Sequence, residues 1–476
     1  MGLAFDKARL SAAVAVAKAA RLASRTLHTG GGTTVPGVAA RRVDPAVLTK
    51  LSRGLARGSV AITGTNGKTT TTRMVGKILQ TAGVRVVNNS TGANLVTGVT
   101  AALVSDTSLF GRTASEIGLF EVDEASVPKV AAEVDLFLLA VLNLFRDQLD
   151  RYGELNSVAK VIASAFPDLS PVGSIVLNAD DPLVASLGRT AGKAVFFGVE
   201  DPAFDTGILQ HIADSKDCPV CGTALRYDAV YFGHMGMYQC PNCSFGRPEP
   251  AYKAARIQMD GPRGTGFILT TPEGEYEAKI NLPGLYNVYN ALAAAAVAGE
   301  MGVGTEVVIR GLQEFGGAFG RVERVQAGEK EVFLLLIKNP VGFNEILRTF
   351  VASPADEAGA DAARHVLIAI NDNHADGRDV SWLWDVDFEM LANAGVNGRV
   401  EFSVSGIRAH DMAVRLKYAE LPVASVIPDC KEALQTALDA TPAGETLYVL
   451  PTYTAMLELR QNLSDLGYTH PFWEDR

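Results

Sequence analysis

One segment constrains the fold of this chain more than any other: a strand, a glycine-containing loop and a helix follow one another without a break. Ser59–Thr65 is an apolar strand, Asn66–Thr69 is a loop, and the helical pattern that follows ends at Gly83. Glycines in such a loop let backbone N–H groups close around phosphates, and the helix N-terminus favours anions. The segment therefore predicts a nucleotide phosphate site within an α/β fold.

The loop residues have separate expected roles. We expect the Lys68 ammonium to neutralise the terminal phosphates of a nucleotide and the Thr69 hydroxyl to ligate Mg²⁺. Ile62 stands where the general phosphate-loop pattern has its first glycine, so this is a variant loop. The alternative, a glycine-rich turn with an incidental lysine, does not account for the flanking strand and helix. The predicted nucleotide contacts are Gly64, Thr65, Asn66, Gly67, Lys68, Thr69 and Thr70.

Strands and helices continue to alternate after the loop, which is typical of a doubly wound, mostly parallel sheet. The chain has 476 residues, and 47% of them are hydrophobic, so two or three domains can each bury a core. We predict a helical and glycine-rich lead segment over residues 1–55 and a central ATP-binding domain over 56–317. A second, Rossmann-like α/β domain follows over 318–476, with strands near 331–337, 365–372, 400–406 and 446–452.

Four of the five cysteines form two CxxC pairs, Cys218 with Cys221 and Cys240 with Cys243, separated by 18 residues. Two such pairs at this distance favour a tetrahedral site in which four thiolates bind Zn²⁺, with iron as a minor alternative. A closed shell of four thiolates leaves no open coordination position, so we expect a structural zinc ribbon. We place it as an insertion in the central domain at about residues 214–248.

The charge and hydropathy of the chain exclude some functions. A net charge of −10 argues against sequence-independent binding to nucleic acid, which requires a surplus of Lys and Arg. No apolar run reaches the roughly 20 residues that span a bilayer. Asp6 and Lys18 interrupt the N-terminal apolar pattern, which favours an amphipathic helix over a signal peptide. We therefore expect a cytoplasmic protein with at most peripheral membrane contact.

Several segments resemble, in the same order, motifs of the Mur ligase superfamily. These are the T-G-T-N-G-K-T loop, the strand end at Phe120–Glu124, the loop Asn143–Asp150, the segment Asn287–Ala291, the stretch Gly320–Glu323 and Lys338–Pro340. The resemblance implies that Glu121 holds Mg²⁺, that Asn290 and Asn287 contact adenine, and that Arg321 reaches a phosphate. In this superfamily ATP converts a carboxylate to an acyl phosphate, which an amine then attacks.

One branch of the superfamily is more similar than the rest. The four-cysteine insertion, the D-Q-L-D-R-Y-G loop and the motif that begins at Asp372 resemble the ligase subunit of lipid II isoglutaminyl synthase along nearly the whole chain. This resemblance implies ATP-dependent amidation of the α-carboxylate of D-isoglutamate in the lipid II stem peptide, at the inner face of the membrane. The nitrogen comes from glutamine, in a heterodimer or larger complex with the glutaminase GatD. Such an enzyme is a carbon–nitrogen ligase of peptidoglycan synthesis.

Within that resemblance Asp372 completes a Cys–His–Asp triad in the glutaminase, where a carboxylate orients and stabilises the imidazole. The alternative for Asp372 is an Asx-turn that caps the following helix. The remaining cysteine, Cys430, has no glycine-flanked elbow, so this chain offers no glutaminase nucleophile of its own. We therefore expect ammonia to come from outside this chain, and the resemblance implies that the glutaminase subunit supplies it.

Two other functions stay open at this stage. The first is a stand-alone ligase that adds an amino acid to a peptide or folate. The short lead segment, too small for a nucleotide-sugar domain, and Gln148, in place of a metal-binding histidine, argue against it. Lys160 is a doubtful counterpart of the family's carbamylated lysine, which leaves the number of Mg²⁺ ions open. The second is a regulatory protein that binds nucleotide without carboxylate-dependent hydrolysis.

Overall fold

The computed structural model describes residues 2–26, 34–89, 93–145, 155–171, 173–207, 215–260, 264–316, 322–351, 364–393 and 400–469. The chain divides into two compact units. The first comprises Met1–Gln258, Gly266–Ile280 and Tyr286–Phe315, and the second comprises Met259–Thr265, Asn281–Leu285 and Gly316–Arg476. Across the described ranges, none of the helices combines the length and the apolar character needed to cross a bilayer.

The first unit is built on a large sheet. Its strands are β1 (Ser59–Thr63), β2 (Val86–Asn88), β3 (Ile117–Glu121), β4 (Leu136–Val141), β5 (Ser174–Asn178), β6 (Ala194–Val199), β7 (Arg226–Phe232), β8 (Met235–Gln239), β9 (Tyr252–Met259), β10 (Thr265–Thr271) and β11 (Gly274–Ile280). All except β7 and β8 form one sheet in the order β11-β10-β9-β6-β5-β4-β1-β3-β2. In this order, every neighbouring pair from β9 across to β2 is parallel. The predicted doubly wound, mostly parallel sheet is therefore confirmed.

Helices cover the buried strands of this sheet. They are α1 (Gly2–Thr26), α2 (Val35–Val43), α3 (Val47–Ser52), α4 (Lys68–Thr81), α5 (Val96–Asp106), α6 (Val127–Glu133), α7 (Leu155–Ala163), α8 (Pro182–Leu187), α9 (Leu285–Glu300) and α10 (Thr305–Gln313). Every residue of β1, β3 and β5 is buried, which explains why these strands are continuous apolar runs without polar alternation.

The strand order fixes where a ligand site can form. β1 lies between β3 and β4: the chain goes from β1 to β2 at one edge, returns through β3, then crosses to β4 on the other side and continues outward through β5 to β6. In open parallel sheets, the crevice at the carboxyl ends of the strands around such a reversal is the usual ligand site. The carboxyl ends of these three strands lead into the phosphate loop, Glu121 and Asn143, so the topology brings three predicted motifs to one edge.

The lead segment contains a helix that the sequence did not predict. The glycine-rich stretch from Gly30 to Gly37 predicts a turn, but α2 begins at Val35, with Pro36 in its first turn. Gly37 is explained by packing, because a Cβ at this position would lie 1.8 Å from the carbonyl oxygen of Thr97 in α5. The earlier part of the predicted turn, residues 30–33, lies outside the described residues.

The region after β6 also differs from expectation. After the cysteine segment, the sequence predicts that the α/β pattern resumes with an Ala-rich helix near residues 287–300, but β9, β10 and β11 precede this helix. Burial alternates strictly along β10 and largely along β11, which is the period-two pattern of strands with one covered face. The inserted β7 and β8 pair antiparallel as a separate two-stranded sheet, flanked by the two cysteine pairs.

The second unit is another α/β structure. Its strands are β12 (Val322–Ala327), β13 (Lys330–Leu335), β14 (Arg364–Ala369), β15 (Val400–Ser405), β16 (Val423–Val426) and β17 (Thr446–Pro451). Its helices are α11 (Pro340–Ile346), α12 (Glu389–Asn393), α13 (Ala409–Tyr418), α14 (Cys430–Ala440) and α15 (Tyr453–Asp465). The sheet order is β12-β13-β17-β14-β15-β16; β12 is antiparallel to β13 and the other pairs are parallel.

Candidate functional site

The phosphate loop of the first unit has the predicted strand–loop–helix form. β1 ends at Thr63 and α4 begins at Lys68. Gly67 has φ +85° and Gly64 has φ +133°, a region that side-chain-bearing residues rarely adopt. Thr65, Lys68, Thr69 and Thr70 are buried at the start of α4. The helix N-terminus and the two glycines therefore leave backbone N–H groups to close around an anion.

Two buried carboxylates face the loop. Thr69 Oγ1 donates a hydrogen bond of 2.8 Å to Glu121 Oε2, so the two predicted Mg²⁺ ligands lie side by side. Lys68 Nζ lies 2.9 Å from Glu124 Oε1 and also donates to the carbonyl oxygen of Gly64. Carboxylates outnumber ammonium groups here, and hydroxyl and carboxylate oxygens are ligands that Mg²⁺ prefers. The residues present therefore fit a Mg²⁺ ion.

Glu124 was missed by the sequence reasoning. Its signal was present, because it lies three residues after Glu121 in the same strand-ending segment. A short 3₁₀ turn at Glu124–Ser126, capped by the Asp123 carboxylate, turns Glu124 back towards Lys68. The side chain of Asn89 holds the backbone of Glu121 from the other side, accepting from its N–H and donating to its carbonyl oxygen. Both carboxylates are therefore held by neighbouring elements.

The loop after β4 fastens the phosphate loop. Asn143 Oδ1 accepts from the backbone N–H of Asn66 at 2.8 Å, and its Nδ2 donates to the Asn66 carbonyl oxygen. Thr65 Oγ1 accepts from the N–H of Phe145 and donates to its carbonyl oxygen. This segment, Asn143–Phe145, therefore holds the phosphate loop in place, and we call it the brace. The rest of that loop, including Gln148, lies outside the described residues, and Lys160 is exposed on α7.

The predicted adenine segment, Asn287–Ala291, lies directly against the phosphate loop. Asn290 Oδ1 accepts from Thr71 Oγ1 at 3.3 Å, and Asn290 Nδ2 donates to Asn287 Oδ1 at 3.2 Å. A Cβ on Gly67 would lie 2.1 Å from Asn290 Oδ1, so only glycine fits there. The structure therefore brings Asn287 and Asn290 together with the phosphate loop. Arg321, the predicted phosphate contact, lies outside the described residues.

A buried acidic pair that the sequence reasoning did not select connects several of these elements. Asp180 Oδ2 accepts from Tyr289 OH at 2.7 Å, and Asp180 also pairs with Arg247 at 2.6 Å. Asp181 Oδ2 accepts from the N–H of Leu144 at 2.8 Å. Burial raises the pKa of Asp180, and the Arg247 guanidinium opposes that rise. Tyr289 lies within the adenine segment and Leu144 within the brace, so the pair joins both to β5.

The four cysteines form one cluster. Their Sγ atoms all lie within 4.8 Å of one another, with Cys221–Cys240 at 3.5 Å and Cys218–Cys243 at 3.7 Å. Tetrahedral zinc with Zn–S distances of about 2.3 Å requires sulfur separations of about 3.8 Å, so the donor set fits. Hydrogen bonds from Thr223 lower the pKa of Cys221 to about 6, whereas burial raises the pKa of Cys218.

The β7–β8 hairpin attaches this cluster to the acidic pair. The N–H of Gly236 donates to the Asp180 carbonyl oxygen, and Tyr238 OH donates to the Ala179 carbonyl oxygen. Because four cysteines complete a metal site, the sequence predicts an ordinary surface or packing role for the nearby His234, and its side chain is buried. Its ring packs on Phe145 with centroids 4.5 Å apart, and its Nε2 lies 3.4 Å from Asp181 Oδ2. His234 is therefore a packing residue.

The Asp372 loop of the second unit follows β14 and is held by its own polar side chains. Asn371 Oδ1 accepts from the N–H of Ile407, and Asn371 Nδ2 donates to Thr454 Oγ1. Asp376 accepts from both the N–H and the hydroxyl of Thr454. These bonds fix the backbone on either side of Asp372, so the loop is a rigid support.

Asp372 itself contacts an arginine. Arg408 Nη2 and Nε donate to Asp372 Oδ2 at 2.8 and 3.0 Å. Among the described residues, no hydrogen bond reaches Asp372 Oδ1, and the side chain is partly exposed. Asp372 caps no helix in this structure, which argues against the Asx-turn alternative. Cys430 is buried at the start of α14, and burial raises its pKa to about 11, so it is a poor nucleophile.

Together, the sheet, the phosphate loop and the acidic residues beside it define an ATP-dependent ligase of the Mur class. Residues 62–298 match the family model described as the Mur ligase middle domain. Residues 336–456 match the model described as MurT ligase C-terminal. The chain therefore belongs to the MurT family of Mur ligases, as its relatives also indicate, and the resemblance inferred from sequence is confirmed.

Two relatives cover nearly the whole chain. The MurT subunit of lipid II isoglutaminyl synthase (glutamine-hydrolyzing) from Staphylococcus aureus is 33% identical over 95% of this chain and 97% of its own length. The subunit of the same name from Streptococcus pneumoniae is 31% identical over 93% and 96%. The crystal structure of MurF from Acinetobacter baumannii shares the fold, with a TM-score of 0.66, 17% identity, and coverage of 91% and 81%.

Proposed function

We propose that this chain amidates the α-carboxylate of D-isoglutamate in the stem peptide of lipid II. The carboxylate oxygen attacks the γ-phosphorus of ATP and ADP leaves, which gives an acyl phosphate. Ammonia then attacks the acyl carbon, loses a proton and expels inorganic phosphate, so that D-isoglutamine forms. The full-length likeness to the MurT subunits supports the choice of substrate.

The observation that carries the proposal is the cluster of Lys68, Thr69, Glu121 and Glu124 at the carboxyl ends of β1 and β3. Lys68 and the helix N-terminus offset charge on the transferred phosphoryl group. Thr69 and Glu121 would hold Mg²⁺, which when bound neutralises phosphate charge. Phosphoryl transfer needs mainly positioning and charge neutralisation, and these residues supply both.

The nitrogen source in this proposal is a glutaminase subunit, GatD, in a complex with this chain. Asp372 would accept a hydrogen bond from the partner's imidazole and so orient it towards the partner's thiol. The partial exposure of Asp372 and its unused Oδ1 support this role. The four cysteines would hold a structural Zn²⁺ ion. The high pKa of Cys430 supports a nucleophile outside this chain.

A reconstituted reaction tests the proposal. It contains the full-length chain, the glutaminase subunit, glutamine, Mg-ATP and lipid II, and mass spectrometry follows the stem peptide. We expect conversion of one carboxyl to an amide and one ADP released per amide formed. Lys68→Ala should abolish both without unfolding the chain. An unchanged stem-peptide mass with both subunits folded would contradict the proposal.

A pair of aspartate variants tests the role of Asp372. Arg408 contacts both Asp372 at 2.8 Å and Asp411 at 3.6 Å, so Asp411→Asn is a matched control. Asp372→Asn should remove glutamine-driven amidation but keep amidation driven by ammonium chloride, while Asp411→Asn keeps both. Loss of the ammonium-driven reaction in Asp372→Asn would contradict the assignment. So would ATP-dependent joining of a free amino acid to the carboxylate in the absence of any partner subunit. The second result would favour the stand-alone ligase.

A further inference from the structure

The most exposed large apolar side chain among the described residues is Phe110, which is 90% exposed, and its neighbour Leu109 is 51% exposed. Both lie at the tip of a tight turn between α5 and β3. The N–H of Gly111 donates to the carbonyl oxygen of Ser108. The N–H of Ser108 donates to the carbonyl oxygen of Arg112. Thr107 and Thr113 pair as an antiparallel bridge below the turn. The turn is therefore ordered and presents two apolar side chains to solvent.

The turn rests on rigid neighbours. A Cβ on Gly111 would lie 3.1 Å from Leu10 of α1, so the turn sits directly against that helix. Thr113 Oγ1 donates to the carbonyl oxygen of Gly54, and the N–H of Ala114 donates to Asp106. An exposed pair of apolar residues on a braced turn does not serve folding, because it covers no core. Exposed apolar side chains of this kind are typical of a surface that inserts into a membrane or binds a protein partner.

The charges around the turn favour one partner. Arg112 is the last residue of the turn, and Arg53 precedes Gly54, whose carbonyl oxygen accepts from Thr113. The N–H of Arg57 donates to the carbonyl oxygen of Glu116, and Arg85 Nε donates to the carbonyl oxygen of Ala114. Arg53, Arg57, Arg85 and Arg112 are exposed. The acids in the same segments are engaged: Asp106 binds backbone N–H groups, and Glu116 pairs with Arg85 at 3.1 Å.

Four arginines against three carboxylates, namely Asp106, Glu116 and the exposed Asp135 beside Gly58, leave this surface locally positive, although the whole chain has a net charge of −10. Apolar side chains at a tip, surrounded by arginines, match the boundary between acyl chains and anionic headgroups. We propose that the turn Ser108–Arg112 docks this chain on the anionic leaflet of a membrane. The proposal rests on the proposed function, since a lipid-linked substrate must be reached at that surface.

Vesicle sedimentation with the full-length chain tests the proposal. The probes are phosphatidylcholine vesicles with and without one quarter phosphatidylglycerol. We expect binding to the anionic vesicles that weakens as salt is added. Leu109→Ser with Phe110→Ser should lower the partition coefficient about ten-fold or more, because both side chains would leave the acyl region. Arg112→Ala should lower it about five-fold. The control is Tyr418→Ser, a 71% exposed aromatic in the second unit, which should change nothing.

Activity assays separate failure of this proposal from failure of the proposed function. With lipid II in anionic vesicles, the Leu109/Phe110 double variant should show a raised KM, whereas amidation of a water-soluble stem peptide should be unchanged. If the wild type amidates neither substrate, the proposed function fails, and vesicle binding still tests the turn. Equal vesicle binding by the double variant and the wild type would overturn the docking proposal. So would equal binding to neutral vesicles, or loss of the glutaminase subunit from the double variant.

Discussion

Substituting Gly67 with alanine gives the sharpest test of how the phosphate loop and the adenine segment fit together. Alanine at φ +85° costs about 1–2 kcal/mol of backbone strain. Its Cβ would also lie 2.1 Å from Asn290 Oδ1. Ordinary contacts begin at about 3.4 Å, so the Asn290 amide has to retreat by more than about 1 Å. The backbone strain would arise at any glycine with a positive φ that is replaced by alanine. The displacement of the Asn290 amide is specific to Gly67.

Gly302 is the matched control. It has φ +80° in the same unit, and a Cβ there would meet nothing within 4 Å. Gly302→Ala should therefore lower stability by the same backbone term and leave catalysis unchanged. Displacement of a binding group by 1 Å can cost about 100-fold in rate, equivalent to about 2.7 kcal/mol. We expect kcat/KM for ATP to fall about 100-fold in Gly67→Ala alone.

The assay is ADP release during amidation, with a thermal melt of each variant beside it. Both variants should melt below the wild type, Gly67→Ala at the lower temperature because it also displaces Asn290. Activity should be lost in Gly67→Ala alone, which would show that backbone strain does not explain the loss. If Gly67→Ala retains kcat/KM for ATP within about three-fold of Gly302→Ala, Asn290 does not constrain the nucleotide. The assignment of the adenine segment would then be wrong.

Three further predictions concern buried groups. Tyr289→Phe removes a 2.7 Å hydrogen bond to buried Asp180 and should lower the unfolding free energy by about 1–3 kcal/mol, seen as a lower melting temperature and a raised KM for ATP. Cys240→Ser should reduce bound zinc from one ion per chain to a small fraction by elemental analysis; a wild-type chain that purifies without metal would contradict this. Burial raises the pKa of Glu345 to about 7. The folded state then holds a proton that the unfolded state releases above its lower pKa, so stability should fall by up to about 3 kcal/mol from pH 4.5 to 8, and Glu345→Gln should flatten this profile.

The parts that the sequence predicted best are those whose local signals and tertiary roles agree. β1, the phosphate loop and α4 were predictable because an apolar strand, glycines with positive φ and a helix start all lie within one short segment. The clustering of four cysteines followed from their spacing alone. The strand β14 and the loop after it were also placed correctly, since an apolar run ends there in Asn and Asp residues.

The missed features depend on contacts between distant segments. α2 begins at a proline in a glycine-rich stretch, and its Gly37 is explained only by the close approach of α5. β16 has just four residues, partly buried or exposed, and so gives no apolar run. Glu124 lay in a recognised motif, but its pairing with Lys68 depends on the 3₁₀ turn that follows β3. No local pattern distinguishes it from a solvated acid.

The Asp180–Asp181 pair shows why an inserted ribbon can matter to a distant reaction centre. The Asp180 carboxylate accepts a hydrogen bond from the Tyr289 hydroxyl and pairs with the Arg247 guanidinium. Its backbone carbonyl oxygen accepts from the N–H of Gly236 in the β7–β8 hairpin. Asp181 holds Leu144 in the brace beneath the phosphate loop. A buried carboxylate that loses a partner is costly, so the hairpin cannot shift without weakening both connections. Metal in the cysteine cluster would therefore stabilise the nucleotide site through this pair, and its removal should raise the KM for ATP before the chain unfolds.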